Sequence, residues 1–68
     1  KEVNAMVDYR VLIRKRRLEK HLTQKQLAEM SDITQPYLYE IESGRKSPSI
    51  DVLAKICEVL EIKLFPDE

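Results

Sequence analysis

Glycine and cysteine occur once each in the 68 residues, as Gly44 and Cys57. So little glycine, with 35% of residues charged, argues against a β-rich fold of tight turns and against a disordered linker. Cys57 has no second cysteine for an internal disulfide, and with a single histidine, His21, it cannot complete a zinc-finger ligand set. No apolar run approaches the ~18 residues of a membrane span, and no signal-peptide core is visible. The expectation is a cytoplasmic protein with no membrane contact, since a reducing compartment suits an unpaired thiol. A chain this short buries only ~60% of the surface that its unfolded form exposes. With disulfides and metals set aside, helix packing must hold it, alone or with a second copy. One domain, 1–68, is expected.

Net charge is zero, but its distribution is uneven. Residues 1–25 hold eight Lys/Arg against three acids. Residues 26–46 hold two against four, and residues 47–68 two against five. A pI of 6.8 gives no support to global nucleic-acid affinity, yet the basic front leaves a local basic surface open. A solvated helix face accounts for the same charges equally well.

The punctuation marks predict helices throughout. Asp8 suits the N-cap of a first helix from about Tyr9 to Lys20, with Tyr9, Leu12, Ile13, Leu18 and Leu22 as its apolar positions; Lys20 and His21 place positive charge at its end. Thr23 and Gln26 form a capping box for a second helix, about 24–31, whose buried side is Leu27, Ala28 and Met30. Asp32 tolerates a left-handed turn. Thr34 or Gln35 opens a third helix, about 35–43. Pro36 disfavours helical backbone at the residue before it, which makes Gln35 the half-in residue and Pro36 the first fully helical one. Leu38 and Ile41 form its inner stripe, and Gly44 stops it. Ser49 caps a fourth helix with Ile50, Leu53, Ala54, Cys57 and Leu60 at helical spacing, widened by Val52, Ile56 and Val59. The segment from Ile62 to Phe65 is halted by Pro66 and stays unassigned. The fold class is all-α.

Two helices of about eight residues joined by a short turn suit a helix-turn-helix, although any helical hairpin shares part of the pattern. The residues say more. Leu22-Thr23-Gln24-Lys25-Gln26-Leu27-Ala28 resembles the L-T-Q-x-x-L-A opening of the phage repressor/Cro (Xre) family. Ile33-Thr34 and Leu38-Tyr39-Glu40-Ile41-Glu42-Ser43-Gly44-Arg45 are similar to that family's I-E-x-G signature, and Pro48-Ser49-Ile50, Leu53 and Leu60 continue it. The resemblance runs over about residues 9–64 without a gap. It implies a compact lambda-repressor-like domain of four to five helices. It implies too a repressor-like transcriptional regulator that reads double-stranded DNA in the major groove, as a homodimer on a palindromic operator, with no cofactor.

By the same resemblance, Gln24 holds a DNA phosphate, helped by free backbone amides. Arg17 and Glu42 form a structural ion pair beneath the motif. Thr34 and Gln35 form the tip of the recognition helix, and a glutamine amide can bond adenine N6 and N7. Helical geometry sorts the rest. With Leu38 and Ile41 inward, Pro36, Tyr39, Glu40 and Ser43 face out, and Tyr37 lies on a flank where relatives contact backbone. Glu40 either accepts from cytosine N4 or pairs with a neighbouring cation. Arg45 and Lys46 suit phosphates, or a solvated loop.

Three departures stand out. Asp32 and Glu61 replace usual glycines, Arg16 replaces an apolar residue, and Pro66 shortens the fifth helix, the region that helps build the dimer in many relatives. Val52, Ile56, Val59, Leu64 and Phe65 are the candidate dimer surface; ordinary core is the competing reading. No catalytic constellation is present. Glu40 and Glu42 lie on different faces, Ser31 and Ser43 have no matched histidine, and His21 and Cys57 fall on separate helices. The rival function is a protein-interaction module of the same fold, such as an antitoxin or co-regulator. Zero net charge and Glu40 favour it; Gln24, Gln35 and the basic first helix favour DNA.

Overall fold

The computed structural model describes residues 8–63. Four helices follow in order: α1 (Tyr9–Glu19), α2 (Gln24–Met30), α3 (Gln35–Ser43) and α4 (Ile50–Leu60). No strand occurs among the described residues. Each helix opens on a side chain that accepts one of the amides its first turn leaves without a partner. Asp8 takes the Arg10 amide, Thr23 that of Gln26, Thr34 that of Tyr37 and Ser49 that of Val52. At α2 the capping box is complete, because the Gln26 side chain accepts the Thr23 amide at 2.8 Å. At α3 the start differs from expectation. Thr34 is the cap, Gln35 the first helical residue and Pro36 the second. The Thr34 hydroxyl holds the Tyr37 amide, and Pro36, lacking an amide proton, still falls within the first turn, where no carbonyl would receive one.

The helices also end alike. His21, Asp32, Gly44 and Glu61 sit at φ of 59, 61, 83 and 60°. In each case the next residue's amide donates five residues back: Leu22 to Arg17, Ile33 to Ala28, Arg45 to Glu40 and Ile62 to Cys57. This is the Schellman closure. Three of those following residues, Leu22, Ile33 and Ile62, are apolar and pack against the core. The fourth, Arg45, is exposed.

The core is Ile13 from α1, Leu27 and Ala28 from α2, Leu38 and Ile41 from α3, and Ile56 and Leu60 from α4. Cys57 is buried as well. Helices α1 and α2 each pack on both α3 and α4. Four apolar residues assigned inward by periodicity are exposed: Leu18, Met30, Ala54 and Ile50, the last at 71%. Ile50 opens α4 a full turn before Leu53, beyond the layer its neighbours cover. Leu18 and Met30 sit near the ends of their helices, where the chain has begun to turn away.

Arg16, in place of an apolar residue, reaches across to α4. Its guanidinium donates to the Leu60 and Glu61 carbonyls at 3.0 and 3.4 Å, and Lys20 pairs with Glu61 at 3.1 Å. Both cations therefore meet the negative end of the α4 dipole. At the other end of α1, Asp8 grips Arg10 through both carboxylate oxygens, which lowers the Asp8 pKa to about 2. The Arg10 guanidinium lies directly against Gly44, where a β-carbon would overlap it.

The proposed dimer surface is partly consumed by this packing. Ile56 is fully buried in the core, and Val52 and Val59 pack against it. Leu64, Phe65 and Pro66 lie outside the described residues.

Candidate nucleic-acid interface

Helix α3 presents Pro36, Tyr39 and Ser43 to solvent, as expected from Leu38 and Ile41 pointing in, while Glu40, expected outward with them, is half-buried. Gln35, at its first turn, is exposed. An open cleft runs along this face, lined by Gln24, Gln35, Pro36, Tyr39, Glu40 and Arg45. Residues from α2, α3 and the loop after α3 thus share one surface.

The other candidate residues surround it. Thr34 is exposed, with its hydroxyl accepting the Tyr37 amide at 3.2 Å. Tyr37 is half-buried with its ring on the core, so its packing is as much structural as exposed. Lys46 pairs with Glu40 at 3.5 Å. That contact supplies the neighbouring cation which had been one of two readings of Glu40, and it lowers the repulsion a carboxylate would offer a phosphate. The Ser43 hydroxyl donates to the Glu40 carbonyl at 3.2 Å and does not reach outward for a partner. The Arg45 side chain has no partner among the described residues.

Beneath the cleft lies a buried ionic knot. Arg17 Nε donates to Glu42 Oε2 at 2.9 Å, and an Nη nitrogen donates to Oε1 at 3.1 Å. Its other Nη donates to the Leu22 carbonyl at 3.0 Å. The two side chains are only 9% and 5% exposed, so this is a fork-to-fork pair removed from water. Gln24 joins it, its amide nitrogen donating to Glu42 Oε1 at 3.2 Å. The knot ties α1, the loop into α2, the first residue of α2, and α3 together. It fixes the angle at which α3 is presented and holds the Gln24 side chain at the edge of the cleft. Sequence reasoning placed Gln24 at the backbone contact but did not foresee this bond; the 18-residue separation gives no local signal for it.

Around this site no metal centre takes shape: among the described residues, no group of three or more His, Cys, Asp or Glu could hold a metal ion. No helix of the described residues is long and apolar enough to cross a membrane.

Two short helices crossing through a tight turn, with the second laid open along its outer face, define the helix-turn-helix class. Comparison with known proteins agrees. The family model described as Helix-turn-helix matches residues 13–65. The chain belongs to that family. It is 42% identical over 50 residues to an uncharacterised HTH-type transcriptional regulator of Mycobacterium tuberculosis, covering 74% of this chain and 36% of that protein. It is 38% identical over 53 residues to the ImmF control region 10 kDa protein of Bacillus phage phi105, covering 78% and 59%. Among solved structures, the clp gene regulator ClgR from Corynebacterium glutamicum superposes with a TM-score of 0.74 at 38% identity, covering 78% of this chain and 56% of that one. The chain thus spans between about a third and three-fifths of these relatives.

Proposed function

We propose that this chain is the DNA-reading domain of a transcriptional regulator, a repressor acting in the cytoplasm that enters the major groove with α3. Two copies bind a near-palindromic site. The observation that carries this reading is the open cleft that joins Gln35 at the tip of α3 to Gln24 and Arg45 on either side. Family membership and the regulator names of the relatives support it.

Within the cleft the roles divide by position. Gln35 is exposed at the leading end of α3, where its amide can donate to and accept from adenine. Pro36 and Tyr39 offer apolar and ring contacts beside it. Gln24, tethered to Glu42, faces the backbone together with Arg45 and Lys46, whose charges are indifferent to sequence.

Binding-site selection from random duplexes tests the division. Gln35→Ala relaxes preference at one base pair per half-site, a loss of ~1–3 kcal/mol of discrimination. Gln24→Ala weakens all duplexes alike and leaves the preferred sequence unchanged. A wild-type chain that enriches no sequence at low salt points instead to a protein-interaction module. A Gln24→Ala variant that rewrites the preference reverses the two assignments.

A further inference from the structure

A count of charges cannot show which cations stay available, because that depends on what each one meets in the fold. Among the described residues Asp8 holds Arg10, Glu19 and the end of α4 hold Arg16, and Glu42 holds Arg17. Glu61 holds Lys20, Glu40 holds Lys46, and Glu58 holds Lys55. Among the described residues, four cationic side chains have no hydrogen bond or ion pair: Arg14, Lys15, Lys25 and Arg45. Two of these four line the clefts along α3. Arg45 is on the stretch with Gln35 and Pro36. Arg14, from α1, is on the adjoining stretch with Arg17, Gln24, Tyr39, Glu42 and Ser43.

We infer that Arg14 is a second phosphate anchor, supplied by α1 and gripping the DNA backbone beyond Gln24 and Tyr39 from Arg45. Its neighbour Glu42 is no counter-ion for it, since both Glu42 oxygens are taken by Arg17 and one by Gln24 besides. Glu40, the other carboxylate on the cleft, is matched by Lys46. The positive charge left over along the two stretches is therefore that of Arg14 and Arg45, one at each, with the unpaired Lys15 on the wall behind Arg14. A guanidinium with every donor free suits a phosphate, which it can engage through two parallel hydrogen bonds. Gln24 and Tyr39 line both stretches, so a single strand following the cleft passes both cations. The wall behind Arg14 carries Arg10, Val11, Lys15 and Leu18 and adds no unpaired acid that would repel that strand.

The inference rests on the proposed DNA reading, and a salt series separates the two. The affinity of the wild type for its selected duplex is measured between about 50 and 200 mM salt, beside Arg14→Ala, Arg14→Lys and Lys55→Ala, with circular dichroism melts to verify folding. Each phosphate neutralised contributes ~0.9 to the slope of log affinity on log salt. Arg14→Ala is expected to lower the slope by ~0.9, so the ratio of wild-type to variant affinity shrinks about 3.5-fold across that range. Arg14→Lys keeps the slope, and Lys55→Ala, on α4, changes nothing. The loss is the same for selected and random duplexes. An unchanged slope in Arg14→Ala, while the wild type binds its selected duplex, overturns the anchor and leaves the DNA reading intact. A changed sequence preference in Arg14→Ala makes it a base reader and likewise overturns the anchor. A wild type with no selected duplex removes the DNA reading and the anchor together.

Discussion

At the scale of single residues, Glu42 has the largest structural share. Its two oxygens accept three hydrogen bonds from two side chains on two other helices. Removing it strands Arg17, a buried guanidinium, and breaking a buried pair from one side costs ~3–5 kcal/mol. A domain of this size has only ~3–10 kcal/mol of stability, at ~0.05–0.15 kcal/mol per residue. Glu42→Ala is therefore expected to lose about 3 kcal/mol or more and to be largely unfolded in modest urea, as far-UV circular dichroism would record. The double variant Arg17→Met with Glu42→Leu leaves no orphaned charge and should recover most of the loss. A Glu42→Ala loss under about 1 kcal/mol would mean that water reaches Arg17 freely. The pair is 25 residues apart in sequence and follows no helical spacing. It was readable only through the family resemblance, and the part played by Gln24 was not readable at all.

At the scale of elements, the four Schellman ends carry unequal strain. A non-glycine residue in the left-handed region is disfavoured by roughly 1–2 kcal/mol, and glycine returns ~0.5–1 kcal/mol of that as unfolded-state entropy. His21→Gly and Asp32→Gly are each expected to stabilise the fold by ~0.5–1 kcal/mol in urea titrations. Gly44→Ala should go the other way and by more, because it meets both the backbone at φ of 83° and the Arg10 guanidinium. Equal effects at all three positions would show that Arg10 moves aside without penalty. The caps at Thr23 and Ser49 were legible because capping is chemistry between residues three apart. The cap of α3 falls one residue before the expected Gln35, because the Thr34 hydroxyl holds the Tyr37 amide and outweighs the restriction that Pro36 puts on Gln35. Leu18, Met30, Ile50 and Ala54 differ from expectation for another reason: periodicity shows which residues share a face, not whether another helix covers it.

At the scale of the whole molecule, the proposed binding of two copies depends on spacing. The domain measures 35 × 25 × 22 Å between Cα extremes. Half-sites one helical turn apart set two copies ~34 Å apart, centre to centre. Copies of this size placed side by side can just meet along their long axes and stay separate along the short ones. With Ile56 in the core and Val52 and Val59 packed on it, little of the apolar surface first considered for pairing remains among the described residues. Pairing is expected to depend on the duplex. Native mass spectrometry on a selected palindrome should show two chains per duplex, and cutting the duplex to one half-site should leave one. A strict one-to-one complex on the full palindrome would count against the two-copy arrangement. The all-α class and most of the outward face of α3 followed from pattern; the unpaired state of Arg14 needed the ion pairs of the described residues.

The buried thiol at Cys57 has a practical consequence. It is 4% exposed, and burial raises its pKa, so in the folded chain it is shielded from alkylating reagents and poorly ionised for attack. Its labelling rate then serves as a clock for transient opening, read without denaturant and without any engineered cysteine. Because a partner that binds only the closed form makes such openings rarer by mass action, the same clock would also report when the folded domain is occupied.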